Sequence, residues 1–302
     1  MLPVAIILVT LSACVHAGWN LALKRQSPSS GLFFLAILIG TAAFSPVLIY
    51  FRDDVARIPA TVWLLLAATG FFQALYYASL AGSYRCGDIS IAYPIARSLP
   101  VVLVPMVAFA IGRGREISWP ALAGMVLIAF GCFVLPMRRL SELRWKNYGN
   151  LCSLLAAMAA MGTAGYSIID NAGLVVLRDP AGLGMTAHGA ALIFIVLEGF
   201  TSLAWLGVFV FFSRDRRADL ATACRSAKRQ ATLMGLGVYV AYTLVLTAMA
   251  FVHDVSYVVA FRQVSIPLGA ILGIVVLRES RFMPKYIGLA LVCLGLVLVA
   301  TG

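Results

Sequence analysis

The stretch that decides the fold is YYASLAGSYRCGDIS at residues 76–90, because the chain contains a second version of it. The second version, YTLVLTAMAFVHDVS, occupies residues 242–256, and both begin with Tyr and end in Asp-x-Ser at the same spacing. The tripeptide Ser-Leu-Pro at 98–100 follows the first version, and Ser-Ile-Pro at 265–267 follows the second. These matches indicate that one unit occurs twice in the chain.

Further markers recur after both versions in the same order. They are a glutamate in a charged corner and two equally spaced glycines in the last apolar run: Glu116, Gly124 and Gly131 in the first unit, and Glu279, Gly288 and Gly295 in the second. Chance similarity does not produce so many aligned markers. The sequence therefore predicts two repeats, at 1–140 and 146–302.

The composition indicates a membrane protein. Hydrophobic residues make up 62% of the 302 and charged residues only 12%. Runs of roughly 20 apolar residues cross a bilayer as helices, because a helix satisfies its own backbone hydrogen bonds. The net charge of +11 does not indicate nucleic-acid binding, since the basic residues stand in short turns between apolar runs. We expect an all-α membrane protein whose surroundings are the lipid bilayer.

Charges, glycines and prolines divide the chain into segments of membrane-crossing length. In order, these ten segments are 2–23, 30–51, 60–82, 88–112, 118–137, 148–172, 187–212, 231–252, 255–277 and 283–301. Each half holds five segments, an odd number, so the two halves must enter the membrane in opposite directions. The prediction is ten transmembrane helices in two inverted five-helix repeats, with a short surface helix in the polar connection at 213–230.

The two units resemble the drug/metabolite transporter superfamily, specifically transporters with two EamA domains. In each unit the features are a helix rich in small residues, Asp-x-Ser, a mid-helix proline, a glutamate corner and a glycine-bearing last helix. Gly18-Trp19-Asn20, followed by Lys24, resembles the family's first-helix pattern. The resemblance covers the whole chain and implies transport of small molecules, without specifying the substrate. It also implies cytoplasmic termini, whereas the excess of Lys and Arg after odd-numbered segments predicts that both termini lie outside.

Two arginines are the leading candidates for substrate binding. Arg97 and Arg262 lie near the middle of the fourth and ninth segments, which correspond in the two repeats. A charge inside the membrane costs roughly 2.5–3.5 kcal/mol and so usually faces a cavity or a partner. Two guanidinium groups facing a central chamber suit a carboxylate or phosphoryl group. Alternatively, each arginine is a structural ion-pair partner of Glu198 or Asp170.

Three other residues are candidates for coupling transport to a proton. Glu198 lies midway along the seventh segment, and Asp170 lies near the end of the sixth. His16 lies in the first segment, and its imidazole can accept a proton near neutral pH. The alternatives are a structural ion pair for the carboxylates and a helix contact for the histidine.

Aromatic and amide side chains complete the candidate substrate site. Such side chains line pockets for organic solutes, although tyrosines near segment ends also form interfacial belts. The candidates are Trp19, Asn20, Gln73, Tyr76, Tyr93, Tyr242 and Gln263. Asp88 and Asp254 are expected to cap the fourth and ninth helices, and Glu116 and Glu279 to lie at interfacial corners.

These features favour a secondary transporter of a small anionic or zwitterionic metabolite, such as an amino acid or a phosphonate-like compound, in a bacterial inner membrane. Neither a Walker-type phosphate loop nor the sequence signature of a hydrolase is present, so we expect no enzyme activity and no cofactor. The scattered cysteines do not indicate a metal site. The alternatives are a channel or facilitator and an exporter of neutral or cationic amphiphiles. A monomer and a homodimer are both compatible with the sequence.

Overall fold

The computed structural model describes residues 1–23, 29–86, 89–137, 139, 149–275 and 282–302. Within these ranges, the side chains of 19–23, 89–91, 93 and 272–275 lie outside the description. The secondary structure of the described ranges is helical and contains no β-strand. The predicted all-α class is confirmed.

Within the described ranges, fourteen α-helices and several short 3-10 turns follow one another. The helices are α1 Pro3–Leu23, α2 Ser30–Phe44, α3 Pro46–Tyr50, α4 Arg52–Val55, α5 Ala60–Cys86, α6 Ile89–Ala110, α7 Trp119–Val134, α8 Leu151–Arg178, α9 Ala187–Phe211, α10 Arg214–Ser226, α11 Lys228–Ala248, α12 Val255–Phe261, α13 Ser265–Val275 and α14 Met283–Thr301. The largely exposed α10 is the helix expected in the connection at 213–230.

Among the described residues, six helical stretches are long and apolar enough to cross a membrane. They are Ser30–Tyr50, Ala60–Cys86, Leu151–Arg178, Ala187–Phe211, Lys228–Phe251 and Met283–Thr301. The same ranges contain four shorter apolar helices: Pro3–Gly18, Pro94–Ala110, Trp119–Val134 and Val255–Ile271. These helices are compatible with a multi-pass membrane protein, and the number of crossings stays a prediction.

The predicted ninth segment is broken in its middle. Helix α12 ends at Phe261, a 3-10 turn covers Arg262–Val264, and α13 starts at Ser265. Pro267 has no N–H to donate to the carbonyl of Gln263 four residues earlier, and its ring crowds that carbonyl. The Ser265 hydroxyl donates to the Arg262 carbonyl at 3.1 Å, which satisfies part of the interrupted backbone. By contrast, α6 remains one helix although it contains three prolines.

Most of the extensive helix contacts recur when the two halves of the chain are exchanged, and the contact of α10 with α2 is an exception among the described residues. The matched contacts are α5 with α8 and α11 with α1, α5 with α9 and α11 with α2, and α6 with α8 and α13 with α1. The two last helices of the predicted repeats, α7 and α14, pack on each other. This arrangement is the one expected of two related halves.

The contact between α7 and α14 is made by the glycines that the sequence comparison matched. A Cβ atom added to Gly124 would lie 2.6 Å from the carbonyl oxygen of Gly295, and one added to Gly131 would lie 2.8 Å from that of Gly288. The earlier glycine of each helix faces the later glycine of the other, so the two helices run antiparallel. We call these four residues the glycine seam. Small residues let membrane helices approach until their backbones touch.

Candidate functional site

Polar side chains gather where α5, α8, α9 and α11 meet, and Arg262 of the turn between α12 and α13 lies over one of them, Tyr242. Thr69, Gln73, Asp170 and Glu198 are all buried, and both carboxyl groups are almost fully enclosed, at 0% and 2% exposure. A polar group inside an apolar bundle is stable only when it finds partners. The hydrogen bonds of these residues therefore define the site.

Helical periodicity brings the site residues together within each helix. Thr69, Gln73 and Tyr76 are spaced four and three residues apart on α5, so they share one face. Tyr166 and Asp170 are four residues apart on α8 and likewise share a face. Because α5 packs along α8, the two faces meet.

Asp170 and Glu198, which we call the acidic pair, are held by neutral donors. The Thr69 hydroxyl donates to Asp170 Oδ1 and lies 3.5 Å from Glu198 Oε1. The Tyr242 hydroxyl donates to Asp170 Oδ2, and Gln73 Nε2 donates to Glu198 Oε1 at 2.5 Å. Thr69 therefore bridges the two carboxyl groups, and four helices contribute to this network.

The hydrogen bonding of the acidic pair is incomplete. Glu198 Oε2 is buried and has no hydrogen-bond partner. Among the described residues, neither carboxyl group forms an ion pair, since the salt bridges there involve Arg52, Arg57, Arg85 and Arg113 with other acidic residues. Arg262 is therefore not the direct ion-pair partner of either carboxylate. The structural alternative considered for it does not apply in this conformation.

A basic cluster, consisting of His16, Arg97 and Arg262, lies on the other side of the site. Arg97 Nη2 is 3.1 Å from His16 Nε2. The charges of both arginines act on the His16 imidazole. All three side chains are only half-buried, unlike the acidic pair. That the two arginines face a common chamber stays a prediction.

Arg262 is positioned by the break between α12 and α13. Its guanidinium carbon lies 5.2 Å from the centroid of the Tyr242 ring, in cation–π geometry. Its Nη1 is buried and has no hydrogen-bond partner. The charge also acts electrostatically on Asp170 and Glu198. Arg262 therefore interacts electrostatically with the acidic pair without forming an ion pair among the described residues. Its Nη1 donor has no hydrogen-bond partner.

A row of tyrosines connects the two sides of the site. The ring centroids of Tyr76 and Tyr166 are 6.0 Å apart, and those of Tyr166 and Tyr242 are 5.7 Å apart, both edge to face. Tyr242 contacts both an acidic and a basic residue. Its hydroxyl bonds Asp170, and its ring lies under the Arg262 guanidinium.

Four residues expected in the substrate site either lie outside the described side chains or bond to the backbone nearby. The side chains of Trp19, Asn20 and Tyr93 lie outside the described residues, so their roles stay predictions. Gln263 is buried, its Nε2 donates to the carbonyl of Val259 on the preceding helix α12 at 3.4 Å, and its Oε1 has no hydrogen-bond partner.

Of the two residues predicted to cap helices, Asp254 is among the described residues and Asp88 is not. Asp254 caps α12 as expected, accepting a hydrogen bond from the Ser256 N–H at 2.8 Å. Asp88 and Glu279 lie outside the described residues.

Sequence reasoning missed Thr69 and Tyr166 as site residues. The available signal was periodicity, because Thr69 precedes the predicted Gln73 by four residues and Tyr166 precedes the predicted Asp170 by four. A helical face that carries one functional side chain usually presents the next turn to the same space. Applied to each predicted residue, this rule would have found both.

Outside the membrane segments, Arg113 and Glu116 form an ion pair in the corner before α7. Arg113 donates two hydrogen bonds to Glu116, at 3.1 and 2.8 Å. These bonds lower the pKa of the Glu116 carboxyl below its ordinary value. Both side chains are exposed, so the pair lies on the surface of the protein, and its position at the membrane interface stays a prediction. The part of the chain that the structure describes contains no group of three or more His, Cys, Asp or Glu residues placed to hold a metal ion.

Comparison with known proteins shows the fold and does not identify a family. No family model matches the chain, and no curated protein matches it. A solved structure, described only as "Crystal structure of protein", superposes with a TM-score of 0.66 at 17% sequence identity. The match covers 98% of this chain and 97% of that one. The whole chain therefore adopts a fold that an experimentally determined structure shares.

Proposed function

We propose that this protein is a secondary transporter of a small organic metabolite with an anionic group, either an anion or a zwitterion such as an amino acid or a phosphonate-like compound. It crosses a bacterial inner membrane ten times as two inverted five-helix repeats and works by alternating access. Transport of a small molecule is also what the resemblance to two-EamA-domain transporters of the drug/metabolite transporter superfamily implies, without specifying the substrate. The exchange symmetry of the helix contacts and the antiparallel glycine seam support the inverted repeat.

The observation that carries the proposal is the unused donor of Arg262. Burying a guanidinium is costly unless its charge and donors are paired. Arg262 has a buried Nη1 without a partner and no ion pair among the described residues, although two carboxyl groups are near enough to feel its charge. An oxyanion of a substrate would supply both the missing acceptor and the missing negative charge.

Arg97 supplies a second positive charge for the same substrate group, and His16 orients it. An arginine side chain has only donors, so His16 Nε2 must be the acceptor in the contact with Arg97. In this arrangement, the His16 proton is on Nδ1 and the ring is neutral. We therefore assign His16 to positioning Arg97, instead of to the coupling role that the sequence suggested.

The tyrosine row and the broken helix fit the remaining requirements of a carrier. Tyr76 and Tyr242 offer aromatic surface beside the basic cluster, which suits the organic part of a metabolite. The turn at Arg262–Val264 joins two short helices that can change their relative angle. Movement of this turn would displace the substrate-binding guanidinium together with the helix.

Ligand-dependent stabilisation of the purified protein tests the substrate class. The panel contains amino acids, alkylphosphonates and carboxylates, with neutral and quaternary-ammonium amphiphiles as competitors. We expect stabilisation by compounds with an anionic group, reduced 10- to 100-fold in apparent affinity by Arg262→Gln, since a charged hydrogen-bonding pair contributes roughly 1.5–3 kcal/mol. Arg262→Lys is expected to restore part of the affinity, because it keeps the charge and loses the fork.

Arg113→Gln is the matched control, because Arg113 lies in the exposed corner pair. Stabilisation by amphiphilic cations alone, unchanged in Arg262→Gln, would refute the anion site. Counterflow in liposomes then tests the mechanism: a carrier accelerates uptake when the opposite side holds substrate, whereas a channel does not. Absence of this acceleration would refute alternating access.

A further inference from the structure

The two charged groups of the site differ in accessibility. The residues of the basic cluster are half-buried and keep part of their side-chain surface exposed, although the Nη1 atom of Arg262 is itself buried. The acidic pair is closed off, with Asp170 at 0% and Glu198 at 2% exposure. A metabolite that reaches the arginines therefore cannot touch the carboxyl groups in the described conformation.

The hydrogen bonds of the acidic pair suit a proton as its occupant. Thr69, Gln73 and Tyr242 are neutral donors, and none neutralises the charge of a carboxylate. Glu198 Oε2 has no donor at all, which leaves one buried oxygen able to carry a hydrogen. Two carboxyl groups bridged by one hydroxyl behave as a unit that exchanges its protons in linked steps.

The ionisable groups facing the acidic pair come from three other elements. Tyr77 lies on α5, Tyr239 and Tyr242 lie on α11, and Arg262 lies on the turn after α12. Arg262 is the only permanent charge among them. The protonation state of the pair must therefore depend on Arg262 and on whatever anion binds to it.

Tyr242 provides the structural connection between the pair and Arg262. Its hydroxyl donates to Asp170, and its ring supports the guanidinium at 5.2 Å. When the pair is more negative, it attracts Arg262 and repels a bound anion. When the pair gains a proton, both effects weaken, and the guanidinium is freer to hold the anion.

We propose that Asp170 and Glu198 form one proton-exchange site, bridged by Thr69 and linked through Tyr242 to the anion-binding guanidinium of Arg262. Because anion binding and proton uptake favour each other, the anion and the proton cross the membrane in the same direction. The coupling to transport rests on the proposed function. The existence of the proton site, and its link to Arg262, does not.

Infrared difference spectroscopy of the purified protein tests the site without any substrate. We expect a carbonyl band of a buried, protonated carboxyl group that disappears as the pH is raised. Glu198→Gln and Asp170→Asn should each remove or displace this band. Arg262→Gln, which deletes the nearby positive charge, should move the midpoint of the band upward by about one pH unit or more. Arg113→Gln and Asp219→Asn, both on surface ion pairs, should leave it unchanged.

Three outcomes would overturn the proposal. A wild-type spectrum without a protonated carboxyl band throughout the pH range of the folded protein would show that the pair does not take up a proton. An unchanged midpoint in a folded Arg262→Gln variant would remove the link to the anion site. If added Na⁺ stabilises the wild-type protein but not Glu198→Gln, the acidic pair binds a metal cation instead of a proton. If no compound in the substrate screen stabilises the protein and the carboxyl band still titrates, only the transport proposal is refuted.

Discussion

The glycine seam and the polar centre are built on opposite principles. At the seam, α7 and α14 touch backbone to backbone through Gly124, Gly131, Gly288 and Gly295, with no polar side chain between these four positions. At the centre, α5, α8 and α11 are joined by hydroxyl, amide and carboxyl groups, and several buried polar atoms lack partners. The contacts of the seam are complete without any further molecule, whereas the centre contains polar atoms that lack hydrogen-bond partners.

This difference separates stability from function within one bundle. Close backbone contact gives dispersion energy and fixes how the two halves meet. Incompletely bonded polar groups reduce stability, and they persist where a ligand or proton completes them. Substitutions in the seam should therefore change folding alone, and substitutions in the centre should change folding together with the response to pH and ligand.

The largest loss of stability is expected from Gly124→Leu. The built Cβ of Gly124 would lie 2.6 Å from the Gly295 carbonyl, so a side chain there must separate the helices. Overpacking costs typically 1–3 kcal/mol, and contact with a rigid backbone puts this case at the upper end or beyond. Thermal unfolding in detergent measures it. Gly269→Leu is the control, because no atom lies within 4 Å of a Cβ built there. Equal melting of both variants would contradict a tightly packed seam.

The next effect in size is expected from Tyr242→Phe. This change removes the hydroxyl that bonds Asp170 and keeps the ring beside Tyr166 and Arg262. Leaving a buried acceptor without its donor costs about 1–3 kcal/mol, measured by the same unfolding experiment.

Tyr239→Phe, one turn earlier on α11, is the matched control for that variant. It removes a hydroxyl that bonds Thr41 at 2.5 Å. We expect a loss of about 1 kcal/mol for this bond between neutral groups, without any change in the pH dependence of unfolding. A change of pH dependence in Tyr239→Phe, and none in Tyr242→Phe, would place the proton-sensitive group elsewhere.

A smaller loss is expected from Asp254→Ala. The Asp254 carboxyl caps α12, the short helix that leads to Arg262, by accepting from the Ser256 N–H. Loss of such a cap costs about 1 kcal/mol, while Asp254→Asn should be close to neutral because its amide oxygen can accept the same bond. Equal stability of Asp254→Ala and the parent protein would show that packing alone holds the start of α12.

The smallest effect is expected at the corner of Glu116 and Arg113, which belongs neither to the seam nor to the centre. The hydrogen bond from Arg113 lowers the pKa of Glu116 below its ordinary value of 4.5. Its contribution is therefore present above the unfolded value and is lost as the pH falls through the folded value. Glu116→Gln should cost only a few tenths of a kcal/mol at neutral pH, and nothing in acid. A loss comparable to that of Tyr242→Phe would mean that the corner is less exposed than described.

The fold was more predictable than the site. Apolar run length predicted where the helices lie, because a membrane segment must bury its own backbone hydrogen bonds. The seam glycines were recognised as repeat markers, but their facing each other across two helices was not, since sequence spacing says nothing about contacts between distant helices. The break at Arg262 was not predicted, because the sequence showed only a proline, Pro267, inside the ninth segment, and Pro267 lies beyond the turn itself.

Within the site, residue type identified Asp170, Glu198 and both arginines, because a charge inside an apolar run is rare and needs a reason. Their partners were not predictable in the same way. Thr69 is an ordinary residue by composition, and only the packing of α5 against α8 and α9 makes it the bridge between two carboxyl groups.

The sequence by itself determined the all-helical class and the apolar character of the helices, and it predicted that one unit occurs twice and that four charges lie inside apolar runs. Those properties follow from local composition and spacing, which act on each segment separately. Only the tertiary structure decided that Arg97 contacts His16 while the two carboxyl groups are buried and bonded to Thr69 and Tyr242. Such pairing depends on how distant helices are oriented about their axes, and that orientation results from packing the whole bundle at once.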